Sequence, residues 1–320
     1  MPYSEVERFL RSRYGSRAGS AVSLRGGEWS RAYAFVLDGR EVVARFGVHG
    51  EDFAKDARMA RYSCEALPIP PILELGEVPG GFFAISERAH GDFLDELDEA
   101  GMRAILPGLL SALLTARRID LSSSAGYGRW RPDGSAPHHS WHEALLDVAQ
   151  DRPAGRIYGW RKALASSPTG TGPFDAAVEV LRALVTECPQ HRQLIHGDLL
   201  YRNVLVQRST IVAMLDWGNS MYGDGLYDLA WLLYWWPWYP AWRAIDIGGF
   251  IGAHLRSTGE SIAALKARLR CYQIHIGLDH QAYTAFTGRW DHLARNAQQT
   301  LALVNGSPPE MRKVLDQFAD

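Results

Sequence analysis

Cysteine is scarce in this 320-residue chain. The three present, Cys64, Cys188 and Cys271, are scattered and form no C-x-x-C pair. That excludes a zinc ribbon and a disulfide framework, and it fits a reducing compartment. Excess charge of either sign is missing too. The formal net charge is −2, so composition makes no electrostatic case for nucleic acid or a membrane surface. No apolar run is long enough to span a bilayer. The nearest, residues 231–242, reads Trp-Leu-Leu-Tyr-Trp-Trp-Pro-Trp-Tyr-Pro-Ala-Trp, too short and interrupted by two prolines. It is either an aromatic wall of a cleft or plain core. The N-terminus, Met1 to Leu10, is charged and lacks the apolar centre of a signal peptide. Internal repeats and low-complexity tracts are absent. With 47% hydrophobic and 22% charged residues, the remainder is an ordinary globular composition, and the length suffices for two lobes.

Periodicity then divides the chain. Residues 4–14 pattern as a short amphipathic helix. Short strands follow at 21–24, 31–37 and 41–46, with a glycine-containing turn at 25–30 and the hairpin signal Asp38-Gly39. A helix is expected over 51–66. Strands return after Ile69-Pro70-Pro71 and end with Phe82-Phe83-Ala84-Ile85-Ser86. Residues 86–91 read as a hinge. Beyond it the pattern is helical: 100–118, roughly 140–150, 157–165 and 174–187, then helices from 225 onward, including 261–286 and 290–304. Residues 122–140, rich in Ser, Gly and Pro, read as a long surface loop. The expected fold is α+β and bilobal, with a small β-rich N-lobe over 1–88 and a larger, mostly helical C-lobe over 89–320.

The chemistry is concentrated in one stretch. His196-Gly197-Asp198-Leu199-Leu200-Tyr201-Arg202-Asn203 is H-x-D-x-x-x-x-N. The apolar runs Val204-Leu205-Val206 and Ile211-Val212-Ala213-Met214-Leu215 follow and end in Asp216. Together they predict a hairpin that presents Asp216 at its end. This is the arrangement of a kinase-type phosphoryl-transfer site. One Asp can accept the proton of an attacking hydroxyl. The Asn oxygen and the second Asp can ligate Mg²⁺, a hard cation that prefers oxygen. An isolated D-x4-N would be read as a turn, since both residues suit turns. The flanking His-Gly, two apolar runs and second Asp, in order, carry the functional reading.

These residues, with Met214-Leu215-Asp216-Trp217, Gly223-Asp224 and Tyr227-Asp228-Leu229-Ala230, resemble the aminoglycoside phosphotransferase family of antibiotic kinases. Further matches point to its hygromycin B branch. They are Glu28-Trp29-Ser30-Arg31-Ala32-Tyr33, Ala66-Leu67-Pro68-Ile69-Pro70, Trp235-Trp236-Pro237-Trp238 and Ile276-Gly277-Leu278-Asp279. The resemblance covers nearly the whole chain. It implies a protein-kinase-like fold and an enzyme that uses ATP and Mg²⁺; beside it, a cytoplasmic location and a monomer are expected, although the sequence does not give the oligomeric state. By family position Asp198 is the catalytic base, and Asn203 and Asp216 hold the metal. The 25–31 turn covers the phosphates, Gly26 and Gly27 allowing close approach and Ser30 donating to an oxygen. On pattern alone that turn is equally an ordinary hairpin. Arg45 takes the place of the kinase lysine, and its planar fork can clamp phosphate. Asp56 is its family partner, with Asp52 one turn earlier on the same helix face. Ser86 and Arg88 at the hinge complete the nucleotide-side candidates. His196 is read as bracing the loop, and Asp228 as capping a helix or tying down loop backbone.

An aminoglycoside is a hydroxyl-rich polycation, so its site calls for acids and aromatic faces. Asp279, Trp235 and Trp238 are the candidates, with Asp224 and Glu143 behind them. For both tryptophans core packing is an equal alternative. Two competing functions stay open: a kinase of another small hydroxylated molecule (macrolide, choline, homoserine or sugar amine), and a pseudokinase that binds nucleotide without turnover.

Overall fold

The structure, a computed structural model, describes every residue except 1, 26, 260–263, 307, 317, 319 and 320. In chain order the main elements are α1 (Tyr3–Tyr14), β1 (Val22–Ser23), β2 (Ser30–Leu37), β3 (Arg40–Gly47), α2 (Gly50–Met59), β4 (Ile72–Val78), β5 (Gly81–Glu87), β6 (Asp92–Phe93) and α3 (Glu99–Arg117). They continue with β7 (Gly128–Arg129), α4 (Trp141–Leu146), α5 (Trp160–Ala165), α6 (Gly172–Leu184), β8 (Gln193–Ile195), β9 (Val204–Gln207), β10 (Thr210–Met214) and β11 (Met221–Gly223). The last are α7 (Leu226–Trp235), α8 (Ile247–Thr258), α9 (Leu265–Phe286), α10 (Trp290–Asn305) and α11 (Pro309–Asp316). Residues 261–263 of the helix expected over 261–286 lie outside the described residues.

Packing divides the chain into two compact units. The first comprises Met1–Thr115, Arg131–Gly134 and Asp198–Ser220, the second Ala116–Trp130, Ser135–Gly197 and Met221–Asp320. One is β-rich and the other mostly helical, so the fold class is α+β as expected. The sequence reading draws its lobe boundary at residue 88, whereas packing groups 198–220 with the N-terminal residues. The reason is backbone pairing. β6 pairs with β9 (Asp92 opposite Val206), and Met214 N donates to the Pro68 carbonyl at 2.7 Å.

In the first unit a five-stranded antiparallel sheet runs β1-β2-β3-β5-β4. Val6, Leu10 and Tyr14 recur every four residues along α1 and are buried against Tyr33, Phe35, Phe46 and Phe83 of the sheet. The β2–β3 connection has two residues, Asp38 at φ 50° and Gly39 at φ 79°, with Leu37 opposite Arg40. Left-handed backbone at both positions matches the strand twist, which is why Asp-Gly marks a hairpin. Helix α2 is shorter than the expected 51–66. It stops at Met59, and a 3₁₀ turn over Ala60–Tyr62 follows. Cys64 and Leu67 then pair backbone to backbone at 3.1 and 3.0 Å, and Ser63 Oγ accepts from Ile69 N. Those bonds satisfy the freed peptide groups ahead of the prolines, which cannot continue a helix.

The 122–140 segment, expected as a long surface loop, has its 122–130 and 135–140 parts in the second unit and doubles back there. β7 joins β11 and β8 in a small sheet, and bridges tie Ala125 to Ser135 and Tyr127 to His138. Trp130 is buried and stacks on Tyr222 with centroids 5.5 Å apart. Helices α7, α9 and α10 form the core. Gly277 is required there: a Cβ would lie 2.2 Å from Thr300 Oγ1, so only glycine lets α9 approach α10 this closely.

Two buried polar clusters in this unit are internally paired. Asp224 accepts from Arg268 Nε at 2.8 Å and from the Tyr272 hydroxyl at 2.6 Å, and the pair is almost wholly inaccessible. His275 is bonded to the Tyr227 hydroxyl through Nδ1 at 2.9 Å. Burial pulls the His275 pKa down to about 4, against the opposing pull of Asp279. An unfolded histidine titrates near 6.5, so it takes its proton before the folded one does. Stability therefore falls as pH drops from about 6.5 to about 4 and levels off below, by on the order of 3 kcal/mol from this residue. His275→Gln is expected to flatten that acid limb in urea titrations at stepped pH. An unchanged slope would remove His275 from the account.

Candidate active site

The hairpin forms as the sequence predicts. β9 and β10 pair with Val204 opposite Met214, and Leu215 N donates to the Asn203 carbonyl at 2.7 Å. That register sets Asn203 across from Leu215, directly beside Asp216. On the other side, the Asn203 amide nitrogen donates to the Asp198 carbonyl at 2.7 Å. The nitrogen is thereby committed, and the amide oxygen is the end that can meet a cation. The two metal candidates and the base candidate are thus joined through one residue.

The loop between them is held in an uncommon backbone shape. Gly197 has φ 73°, Tyr201 φ 69° and Arg202 φ 71°. A side chain at 197 would be strained at that angle. Arg202 is secured by its N–H, which donates to Asp95 Oδ1 at 2.9 Å. Ahead of Asp198, the Asp228 carboxylate accepts from His196 N and Gly197 N, both at 2.9 Å. Asp228 therefore ties down loop backbone, one of its two expected roles. Burial raises its pKa to about 6, opposed by those two N–H donors and then by Arg117. His196 is fully buried.

Asp216 lies at the hairpin end in left-handed backbone, φ 56° and ψ 69°. Its residue surface reaches solvent, yet the carboxyl group is hemmed in. That crowding pushes its pKa up to about 6; Asp56 adds to the rise, Arg45 opposes it, and Asp52 adds again. A carboxyl so placed among like charges gains from a bound cation. Among the described residues no three His, Cys, Asp or Glu side chains group closely enough to hold a metal by themselves. Mg²⁺ does not need that: one or two protein oxygens plus substrate phosphates are its usual set. Asn203 and Asp216 fit.

Arg45 meets its expected partner. Its Nη2 is 2.5 Å from Asp56 Oδ2, and its guanidinium lies 5.2 Å from the Phe53 ring centre. Burial alone would lower its pKa, but Asp56 and Asp216 reverse that and fix the positive charge. The other Asp56 oxygen accepts from Trp217 N at 2.8 Å. One carboxylate on α2 thus links the cation of β3 to the residue after Asp216. Asp52 is nearby, against Gly218, where a Cβ would come within 2.9 Å of its carboxyl carbon.

The remaining nucleotide-side candidates are placed as follows. Ser30 opens β2 opposite Gly47. Among the described residues beyond its chain neighbours, none lies within 4 Å of where a Gly27 side chain would be. Gly26 lies outside the described residues. Ser86 is buried in β5 opposite Val43. Arg88 follows the strand, its N–H on the Glu41 carbonyl and its side chain on the Glu41 carboxylate at 3.1 Å.

The acceptor-side candidates belong to the second unit. Asp279 on α9 pairs with Arg129 at 3.0 Å. Burial would raise its pKa, but Arg129, with lesser help from His275 and His280, holds it below the ordinary range. Trp235 is half-buried, 4.4 Å from His280 and 5.1 Å from Trp238 between ring centres. Trp238 donates through Nε1 to Gln299 at 2.7 Å, and the Arg295 guanidinium lies 3.8 Å from its ring centre. Asp224, a secondary candidate, is committed to Arg268 and Tyr272. Glu143 caps back onto His139 N at 3.0 Å. No long-range pairing signal in the sequence pointed to Arg129, Lys55 or Asn219, whose partners lie far away in the chain.

Known proteins resemble this chain over most of its length. The phosphotransferase enzyme family matches over residues 20–270. Hygromycin-B 4-O-kinase of Escherichia coli is 30% identical over 293 residues, 91% of this chain and 82% of that protein. A thermostable mutant of aminoglycoside phosphotransferase APH(4)-Ia, solved as a ternary complex with AMP-PNP and hygromycin B, superposes with a TM-score of 0.82. It is 30% identical, with 94% of this chain and 98% of that one covered. Another crystal structure of APH(4)-Ia gives 0.83 at 29% identity, covering 96% and 100%. No helix among the described residues is long and apolar enough to cross a membrane. By the family match and by these relatives, the chain belongs to the phosphotransferase enzyme family.

Proposed function

We propose that the chain is an ATP-dependent kinase that phosphorylates a hydroxyl of hygromycin B and so confers resistance to it. The observation that supports this most is the bonded unit around Asn203. Base candidate, metal donors and phosphate-side cation are joined within one short network, Asp198–Asn203–Leu215 and Asp216–Trp217–Asp56–Arg45. In the proposed reaction the acceptor oxygen bonds to the γ-phosphorus of ATP as the bond to ADP breaks. The hydroxyl proton passes to Asp198. Arg45, with the 27–30 turn, grips the phosphates, and Ser86 and Arg88 sit on the nucleotide side of the hinge. Charge neutralisation on the phosphates would come from Mg²⁺ held by Asn203 and Asp216. Otherwise catalysis is positioning, which suits a transition state with little covalent chemistry for the protein to perform. Functionally, residues 1–88 serve the nucleotide and 89–320 supply the base, the metal donors and the acceptor site. The enzyme acts as a cytoplasmic monomer, where ATP is available.

Asp279, Trp235 and Trp238 are proposed to meet the acceptor. Asp279 is a fixed carboxylate for an ammonium group, shared with Arg129. Trp235 offers a ring, while Trp238 already has a cation over its own. Rigid rings select by shape, whereas charge attraction alone is poorly directional. Hygromycin B is therefore expected to exceed kanamycin in kcat/KM by roughly 100-fold or more. Trp235→Ala should raise KM for hygromycin B about tenfold, with a smaller change in kcat, the sign of lost uniform binding. Steady-state ADP release with both antibiotics checks this. Equal kcat/KM on the two would reject narrow specificity, and an unchanged KM in a folded Trp235→Ala would return that ring to the core. The same assay over macrolide, choline, homoserine and sugar-amine acceptors tests the neighbouring kinase reading. Nucleotide binding without turnover on any acceptor would mark a pseudokinase.

A further inference from the structure

We propose that Asn219 is a positioning residue of the catalytic base, held in place by a buried ammonium group from α2. The proposal rests on the reading of Asp198 as that base. A carboxylate that takes a proton from a bound hydroxyl must present one lone pair in one direction, and a freely turning Asp side chain does not. Asn219 supplies the constraint: its amide nitrogen donates to Asp198 Oδ2 at 3.1 Å. Fixing one oxygen fixes the carboxylate plane, and with it the direction in which the other oxygen points.

A positioning group must itself be rigid. Asn219 ends the short 3₁₀ turn Trp217–Asn219 that follows Asp216. The two residues on either side of it are clamped by one cation. Lys55 Nζ donates to the Gly218 carbonyl at 2.7 Å and to the Ser220 carbonyl at 3.1 Å. Lys55 is only 3% exposed, and a buried ammonium on two carbonyls gives strong, charge-assisted bonds. Ser220 Oγ closes the turn on the Trp217 carbonyl at 2.5 Å, and Trp217 N is on Asp56. Consecutive residues of α2 therefore do two jobs. Asp56 orients the phosphate-side cation Arg45, and Lys55 orients the turn that orients Asp198. A shift of α2 would disturb both at once, so the helix couples nucleotide grip to base alignment.

The test is a double-mutant cycle on kcat, read as ADP release with the acceptor that the panel identifies, alongside thermal midpoints as a fold check. Asn219→Ala is expected to lower kcat about tenfold, with KM for ATP and for the acceptor within about twofold of wild type. In an Asp198→Asn background the same substitution should change kcat by less than about twofold, because what Asn219 positions is already gone. Asn219→Asp keeps the shape and replaces the donor with a like charge, so it should lose at least as much kcat as alanine. It also serves if the alanine variant fails to fold. An undiminished kcat in either variant overturns the proposal. So does an equal loss in both backgrounds, which would mean Asn219 acts independently of Asp198. If Asp198→Asn itself turns over like wild type, the base assignment falls and the proposal with it. A crippled Asp198→Asn beside a normal Asn219→Ala refutes only the positioning role.

Discussion

Asp198→Ala is expected to lose about 10²- to 10⁴-fold in kcat while its affinity for AMP-PNP stays within about twofold. The separation follows from the bonding. The side chain of Asp198 takes a hydrogen bond from Asn219, whereas the proposed phosphate-side groups are linked through Asp56, Arg45 and Trp217. The backbone carbonyl of Asp198, which holds the Asn203 amide, is untouched by the substitution. So the proposed metal donors keep their positions while the proposed proton acceptor is removed. Steady-state kinetics with calorimetry of AMP-PNP binding measure both quantities. Turnover near that of wild type would exclude Asp198 as the base. A parallel collapse of nucleotide affinity would mean that the loop had come apart.

Asp216→Asn is expected to abolish turnover to below about one part in 10³ and to remove the Mg²⁺ dependence of nucleotide binding. An amide is a far weaker ligand than a carboxylate for a hard dication. This substitution is chosen for what it leaves alone. Position 216 has φ 56°, which Asn tolerates better than most residues, so the turn is kept. Removing the charge also relieves repulsion from Asp56 and Asp52, the like charges that help raise the carboxyl pKa to about 6. The variant should therefore melt no lower than wild type. Activity lost at undiminished stability would separate a metal role from a structural one. ATP binding that responds to Mg²⁺ as in wild type would count against Asp216 as a ligand.

What could be read early shares one property: it is local in sequence. The H-x-D-x-x-x-x-N loop, the hairpin ending at Asp216 and the Asp38-Gly39 turn are each specified by residues a few positions apart, because turn chemistry and strand alternation act over that range. The amphipathic spacing of Val6, Leu10 and Tyr14 belongs with them. Arg45 and Asp56 were within reach through family position, being 11 residues apart on adjacent elements.

Other features were decided only by the tertiary structure. Helix α2 ends at Met59 although its pattern runs on, because Cys64 and Leu67 find each other as backbone partners before the prolines. The 122–140 segment reads as a surface loop by composition, yet Trp130 is buried and stacks on Tyr222, far along the chain. Asp224 and Asp228 look alike in sequence, but one is consumed by Arg268 and Tyr272 and the other by the backbone of 196–197. Lys55 stands next to Asp56 with nothing local to mark it; its acceptors lie more than 160 residues on. The sequence by itself determined which groups could do phosphoryl chemistry, since that is a matter of residue type and short spacing. Which neighbours hold those groups still was settled by packing, because hydrogen-bond partners are selected by proximity in the folded chain and leave no periodic trace along it.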